Sequence, residues 1–146
     1  MIDAIGEIYV GKQFLLWACK RLPLQVGAIE HEIGHRPKRW DDYRQSQPRT
    51  RAELHELCRL EETYADFFAG RALAELGLQV EPVCDFLVEL ERLDGERPHP
   101  AYFAAKLRVE VIREGFVDGR RKADVRKKMF PALAKRVNAK LDLGSG

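Results

Sequence analysis

Gln25-Val26-Gly27-Ala28-Ile29-Glu30-His31-Glu32-Ile33-Gly34-His35-Arg36 is the stretch around which this chain is organised. Val26, Ile29 and Ile33 recur at spacings of three and four, the period of a helix with one apolar stripe. Pro23 suits the first turn of that helix, and Pro37 cannot continue it, so the spacing predicts an end near Arg36. Residues four apart on a helix share a face. His31 and His35 therefore project side by side, as two imidazoles must to grip one Zn²⁺. Glu32 falls where a carboxylate can take a proton from a water on that metal. A pentad this short also arises by accident. The rest of the chain must therefore supply a third ligand, support for the ligands and a wall for a substrate.

The 146 residues suit one domain with one core. A hydrophobic content of 45% with 33% charged residues argues against disorder. A net charge of +2 is too small to imply a nucleic-acid partner. That charge is unevenly spread. From Asp118 onward nine Lys and Arg stand against three Asp, leaving 16 basic against 20 acidic residues before it. A basic end on a mildly acidic body reads first as a solvated helix face. Cys19, Cys58 and Cys84 are odd in number and form no C-x-x-C, which argues against a disulfide framework and a cysteine-ligated zinc. All three read as small buried hydrophobes in a reducing, cytoplasmic setting. Met1 to Gly11 carries Asp3 and Glu7 and does not resemble a signal peptide. Phe14 to Cys19 is apolar but too short to span a membrane.

In chain order, Glu7-Ile8-Tyr9-Val10 reads as a short strand between Gly6 and Gly11. Lys12 to Leu22 reads as a helix, and Pro37 to Arg49 as a polar loop or lid. Thr50-Arg51-Ala52-Glu53 is a capping box. It opens a long helix that runs to about Leu76 and stops at Gly77. Leu54, Leu57, Cys58, Ala65, Phe68, Ala72 and Leu76 would be its buried stripe. A further helix starts near Pro82, with Val83, Phe86, Leu87 and Leu90 inward. Asp94 to Pro100 is a turn. The next helix spans about Ala101 to Glu114 and is closed by Gly115. Lys122 to Leu141 is helical, interrupted at Pro131. The expected class is mainly α, or α+β, with residues 1–117 as the domain and 118–146 as its basic helical extension. One strand is not a sheet. Either Met1 to Ile5 pairs with it, or a partner chain, such as the second copy of a homodimer, completes the sheet.

Acidic side chains for a third ligand lie on the long helix. Glu62 and Asp66 are four apart and share a face; Glu61 points about 100° away from Glu62. With Arg59-Leu60-Glu61-Glu62-Thr63-Tyr64-Ala65-Asp66-Phe67-Phe68-Ala69-Gly70 read after His31-Glu32-Ile33-Gly34-His35, the chain resembles the gluzincin metallopeptidases of the CAAX-prenyl-protease and HtpX-like class, in a minimal soluble form. Glu7-Ile8-Tyr9-Val10-Gly11 resembles the strand before their active helix. His99-Pro100, Arg108 and Gly115-Phe116 resemble their downstream segment.

The resemblance implies a zincin-like fold and a zinc-dependent endopeptidase. It makes His31, His35 and Glu62 the ligands of one catalytic Zn²⁺ and Glu32 the general base. Asp66 would accept the other ring N–H of His31, His99 would lie near the metal and either touch the zinc transiently or stabilise the oxyanion, and Arg108 would brace the site. A peptide or protein substrate would lie along Ile8, Tyr9 and Val10 by strand addition. His55 shares the face of Glu62 but reads as solvent-facing, and Tyr64 as a packing residue. The chain departs from the family in having only 30 residues before His31, and so little sheet. Two other classes fit the same residues. One is a catalytically silent zinc-binding or interaction protein of this fold; the other is a binding module that uses the basic tail.

Overall fold

The computed structural model describes residues 7–35, 47–95 and 99–129. Among the described residues five helices make up the fold: α1 Lys12–Trp17, α2 Leu22–Gly34, α3 Arg51–Glu75, α4 Glu81–Leu93 and α5 Ala105–Met129. The chain is mainly helical. None of its described helices is long and apolar enough to cross a membrane.

Local chemistry sets most of the boundaries. Thr50 Oγ1 accepts from Glu53 N at 3.1 Å, and Glu53 Oε2 accepts in return from Thr50 N at 3.1 Å, so the capping box starts α3. Gly77, at φ 73°, ends it. Leu78 N then reaches back to Leu73 O at 2.9 Å, closing the last turn in a conformation that an L-residue resists. Pro23 and Pro82 stand in the first turns of α2 and α4, where a missing N–H costs nothing.

The two long helices, α3 and α5, are the frame. Asp66 meets Arg108, Gly70 meets Ile112 and Arg71 meets Gly119, so they run in the same direction. They touch backbone to backbone: a Cβ on Gly70 would lie 1.9 Å from Ile112 O, and one on Gly115 would lie 2.1 Å from Phe67 O. Helices α2 and α4 close over the pair. The resulting core holds Leu24, Leu73, Val80, Val83, Cys84, Leu87, Val109 and Ile112.

Several expectations change. The strand expected over Glu7–Val10 is not formed. Ile8 makes one isolated β-bridge and no strand exists among the described residues, because four residues without a neighbouring ladder do not hold a pleat. The pairing of Met1 to Ile5 lies outside the described residues. So do residues 37–46 of the expected loop, 96–98 of the turn and 130–146 of the tail. Helix α1 stops at Trp17; Ala18 is buried and Lys20, at φ 67°, turns the chain into α2.

Gly115 closes nothing. Helix α5 runs through it to Met129, because Gly115 is there to let Phe67 O approach. The boundary expected at 117/118 therefore falls inside one helix. The buried stripe of α3 is Ala65, Asp66, Ala69, Gly70, Leu73 and Ala74; Leu54 and Leu76 are exposed. In α2 the buried residues are Leu24, Gly27 and Gly34, while Ile29 is 41% exposed. On α4, Leu90 is exposed too. Of the cysteines only Cys84 is buried; Cys19 is exposed.

Candidate metal centre and its cleft

Helices α2 and α3 meet at Gly34. A Cβ there would lie 2.9 Å from Ala65 Cα, so only a glycine between the two histidines allows this approach. It brings the last turn of α2 against the turn of α3 that carries Glu62 and Asp66. His31 and His35, one turn apart, set their rings at 89° with centroids 4.8 Å apart. Their Nε2 atoms are 3.2 Å from each other. Glu62 reaches both: Oε2 is 3.1 Å from His31 Nε2, and Oε1 is 3.5 Å from His35 Nε2.

These three side chains form a group that can hold a metal ion; Glu61 is not part of it. Donor atoms at 2.0–2.1 Å in a tetrahedral shell stand about 3.3 Å apart. The observed 3.1 to 3.5 Å spans that value. Glu62 Oε2 is buried without a hydrogen bond, although His31 Nε2 is close by. The two atoms are in reach but not aligned with one another, as two ligands aimed at a shared point would be. Two imidazoles and a carboxylate also suit zinc chemically.

Behind the ligands lies a buried ionic pair. Asp66, 2% exposed, places Oδ1 3.0 Å from His31 Nδ1. Arg108 on α5 donates to the same carboxylate through Nε at 2.7 Å and Nη2 at 2.9 Å. Arg108 Nη2 is also 3.7 Å from Glu62 Oε2. Burial opposes ionisation of Asp66, but hydrogen bonds from His31 and Arg108 outweigh it and hold its pKa below the ordinary value. Burial likewise opposes the charge on Arg108, and Asp66 keeps the guanidinium protonated. For His31, burial favours the neutral ring. The facing carboxylates of Asp66 and Glu62 prevail and push its pKa up to about 9 without metal. The metal-free site thus keeps a cation on one of the residues that would bind the metal.

A cleft of about 800 Å³ opens over this group. His31, His35, Glu62, Asp66, Arg108 and Glu32 line it, as do His99 and the segment Ile8, Tyr9 and Val10. Its deeper walls are apolar, with Leu24, Val83 and Leu87 among them. His99 is exposed, and its Nδ1 accepts from Ala101 N at 3.2 Å. Its proton must then sit on Nε2, which makes that atom a donor. His55 and Tyr64 do not line the cleft, and Tyr64 is 42% exposed.

Sequence reasoning missed the contributions of Gly34 and Tyr102. Tyr102 packs against both the His99 ring, tilted at 59° with centroids 4.8 Å apart, and the guanidinium of Arg108, at 5.2 Å. For Gly34 the signal was available: a glycine inside a helix, between two would-be ligands, marks a close helix contact. For Tyr102 there was none. No known family matches the chain, and no curated protein or solved structure does either.

Proposed function

We propose that this chain is a zincin-like, zinc-dependent endopeptidase acting on peptide or protein substrates. One observation carries the reading: His31, His35 and Glu62 converge at metal-ligand spacing in a cleft that Glu32 also lines. His31, His35 and Glu62 would hold the ion. Bound there, Zn²⁺ would lower the pKa of a water and polarise a carbonyl.

The chain's own residues supply the rest. Asp66 accepts the Nδ1 proton of His31 and so leaves the Nε2 lone pair facing Glu62 and His35. Arg108 keeps Asp66 ionised. Glu32 takes the proton of the attacking water and returns it to the leaving amine. His99 Nε2–H donates to the carbonyl oxygen as negative charge builds there. Residues 8–10 line the cleft, Tyr9 and Val10 exposed and Ile8 half-buried; they receive the substrate backbone, and the apolar walls receive its side chains. The test is metal analysis of the purified protein joined to a peptide-library digest. The reading requires one bound zinc, cleavage that chelation stops, and recovery on adding zinc back. Full zinc with no cleavage would instead favour a catalytically silent metal protein.

A further inference from the structure

His99, the donor named above, lies on a turn rather than on a helix, and something must hold that turn against the metal ligands. Tyr102 N closes it onto His99 O at 3.2 Å, with Pro100 at the second position, where its fixed φ fits. In such a turn the carbonyl of the second residue takes no part in the closing bond. Here it is held from outside. Arg59 Nη1 donates to Pro100 O at 2.7 Å, and the same guanidinium lies 5.7 Å from the Phe103 ring centre. Arg59 stands on α3 one turn before Glu62 and two before Asp66, so all three share a face. One helix therefore presents a metal ligand, the partner of a ligand histidine and the anchor of the opposite wall.

We propose that Arg59 is a positioning residue for His99, fixing the height of the His99 ring over the cleft through the Pro100 carbonyl. The proposal rests on the role given to His99 above. It predicts that Arg59→Ala leaves zinc content and KM unchanged and lowers kcat about ten- to a hundredfold. In a His99→Ala background the same change should cost less than about twofold, because the two residues act as one unit. Arg59→Lys, which keeps a donor for the Pro100 carbonyl, should recover most of the loss. If Arg59→Ala does not fold, Arg59→Met, which keeps the aliphatic stem but has no donor, supplies the same comparison.

A second readout needs no activity. Hydrogen exchange of the Ala101 amide, which donates to His99 Nδ1, should quicken at least about tenfold in zinc-loaded Arg59→Ala. Equal losses in both backgrounds, a change confined to KM, or unaltered Ala101 exchange each overturn the proposal. If the wild type cleaves nothing, the peptidase reading fails, and the exchange measurement still decides whether Arg59 holds the turn.

Discussion

Replacing Asp66 with asparagine separates two things the carboxylate does. It contacts His31 Nδ1 at 3.0 Å and Arg108 at 2.7 and 2.9 Å, from a position 2% exposed. Asparagine has one acceptor oxygen and one donor nitrogen. With its oxygen toward the guanidinium, its NH₂ faces the Nδ1–H of His31, donor against donor. The imidazole then prefers its proton on Nε2, the atom 3.1 Å from Glu62 Oε2, and that nitrogen can no longer bind metal. Loss of such an orienting partner typically weakens metal affinity 10- to 100-fold, about 1.4–2.8 kcal/mol. Without metal, Arg108 loses its main counter-charge while its side chain is 14% exposed. An uncompensated buried charge costs about 3–5 kcal/mol, and Glu62 nearby puts this case at the lower end. Chelator competition at neutral pH measures the first quantity; denaturant unfolding in EDTA measures the second. If stability falls as expected but zinc affinity stays within twofold of wild type, Asp66 anchors Arg108 and does not orient His31.

Three further outcomes follow from the same geometry. His35→Ala and Glu62→Gln should each lose stoichiometric zinc, read by metal analysis after dialysis, since either change leaves two protein ligands. Gly115→Ala puts a methyl group where Phe67 O stands 2.1 Å away; forcing α3 and α5 apart should cost about 1–3 kcal/mol or more, visible as a lower Tm. The metal-free protein should lose stability as pH rises. The folded pKa of His31, about 9, lies above its ordinary value of 6.5, so its contribution is complete below about 6.5 and lost as pH passes through about 9. That contribution is at most about 3 kcal/mol. Unfolding in EDTA from pH 6 to 10 measures it, and saturating zinc, which requires a neutral His31, should flatten the profile.

The parts of this fold written in local chemistry could be read from the chain. The Thr50–Glu53 box, Pro23, Pro82 and Gly77 act within a few residues of themselves, and each marks the helix end where the structure has one. The spacing of His31, His35, Glu62 and Asp66 is likewise a matter of helical period. What could not be read depends on contacts distant in sequence. Gly115 looks like a helix terminator in any single-chain reading; only Phe67 O, on another helix, explains it. The inward faces of α2 and α3 run through Gly27, Gly34 and Gly70, which carry no side chain for a hydrophobic pattern to detect. Apolar periodicity therefore pointed to Ile29 and Leu54, which the structure leaves exposed. The roles of Arg59 and Tyr102 depend on the turn at His99–Tyr102, whose Pro100 lies 41 residues from Arg59, and no periodicity links the two.

The central claim is that Glu32 acts on a water at a zinc held by His31, His35 and Glu62, and Glu32→Gln tests it most directly. Zinc content and cleavage of a peptide library should be measured side by side for the wild type and this variant. The account predicts one zinc per chain in both proteins, cleavage by the wild type, and a loss of at least about a hundredfold in the variant. Zinc in both with equal cleavage, or no zinc in either, would contradict it.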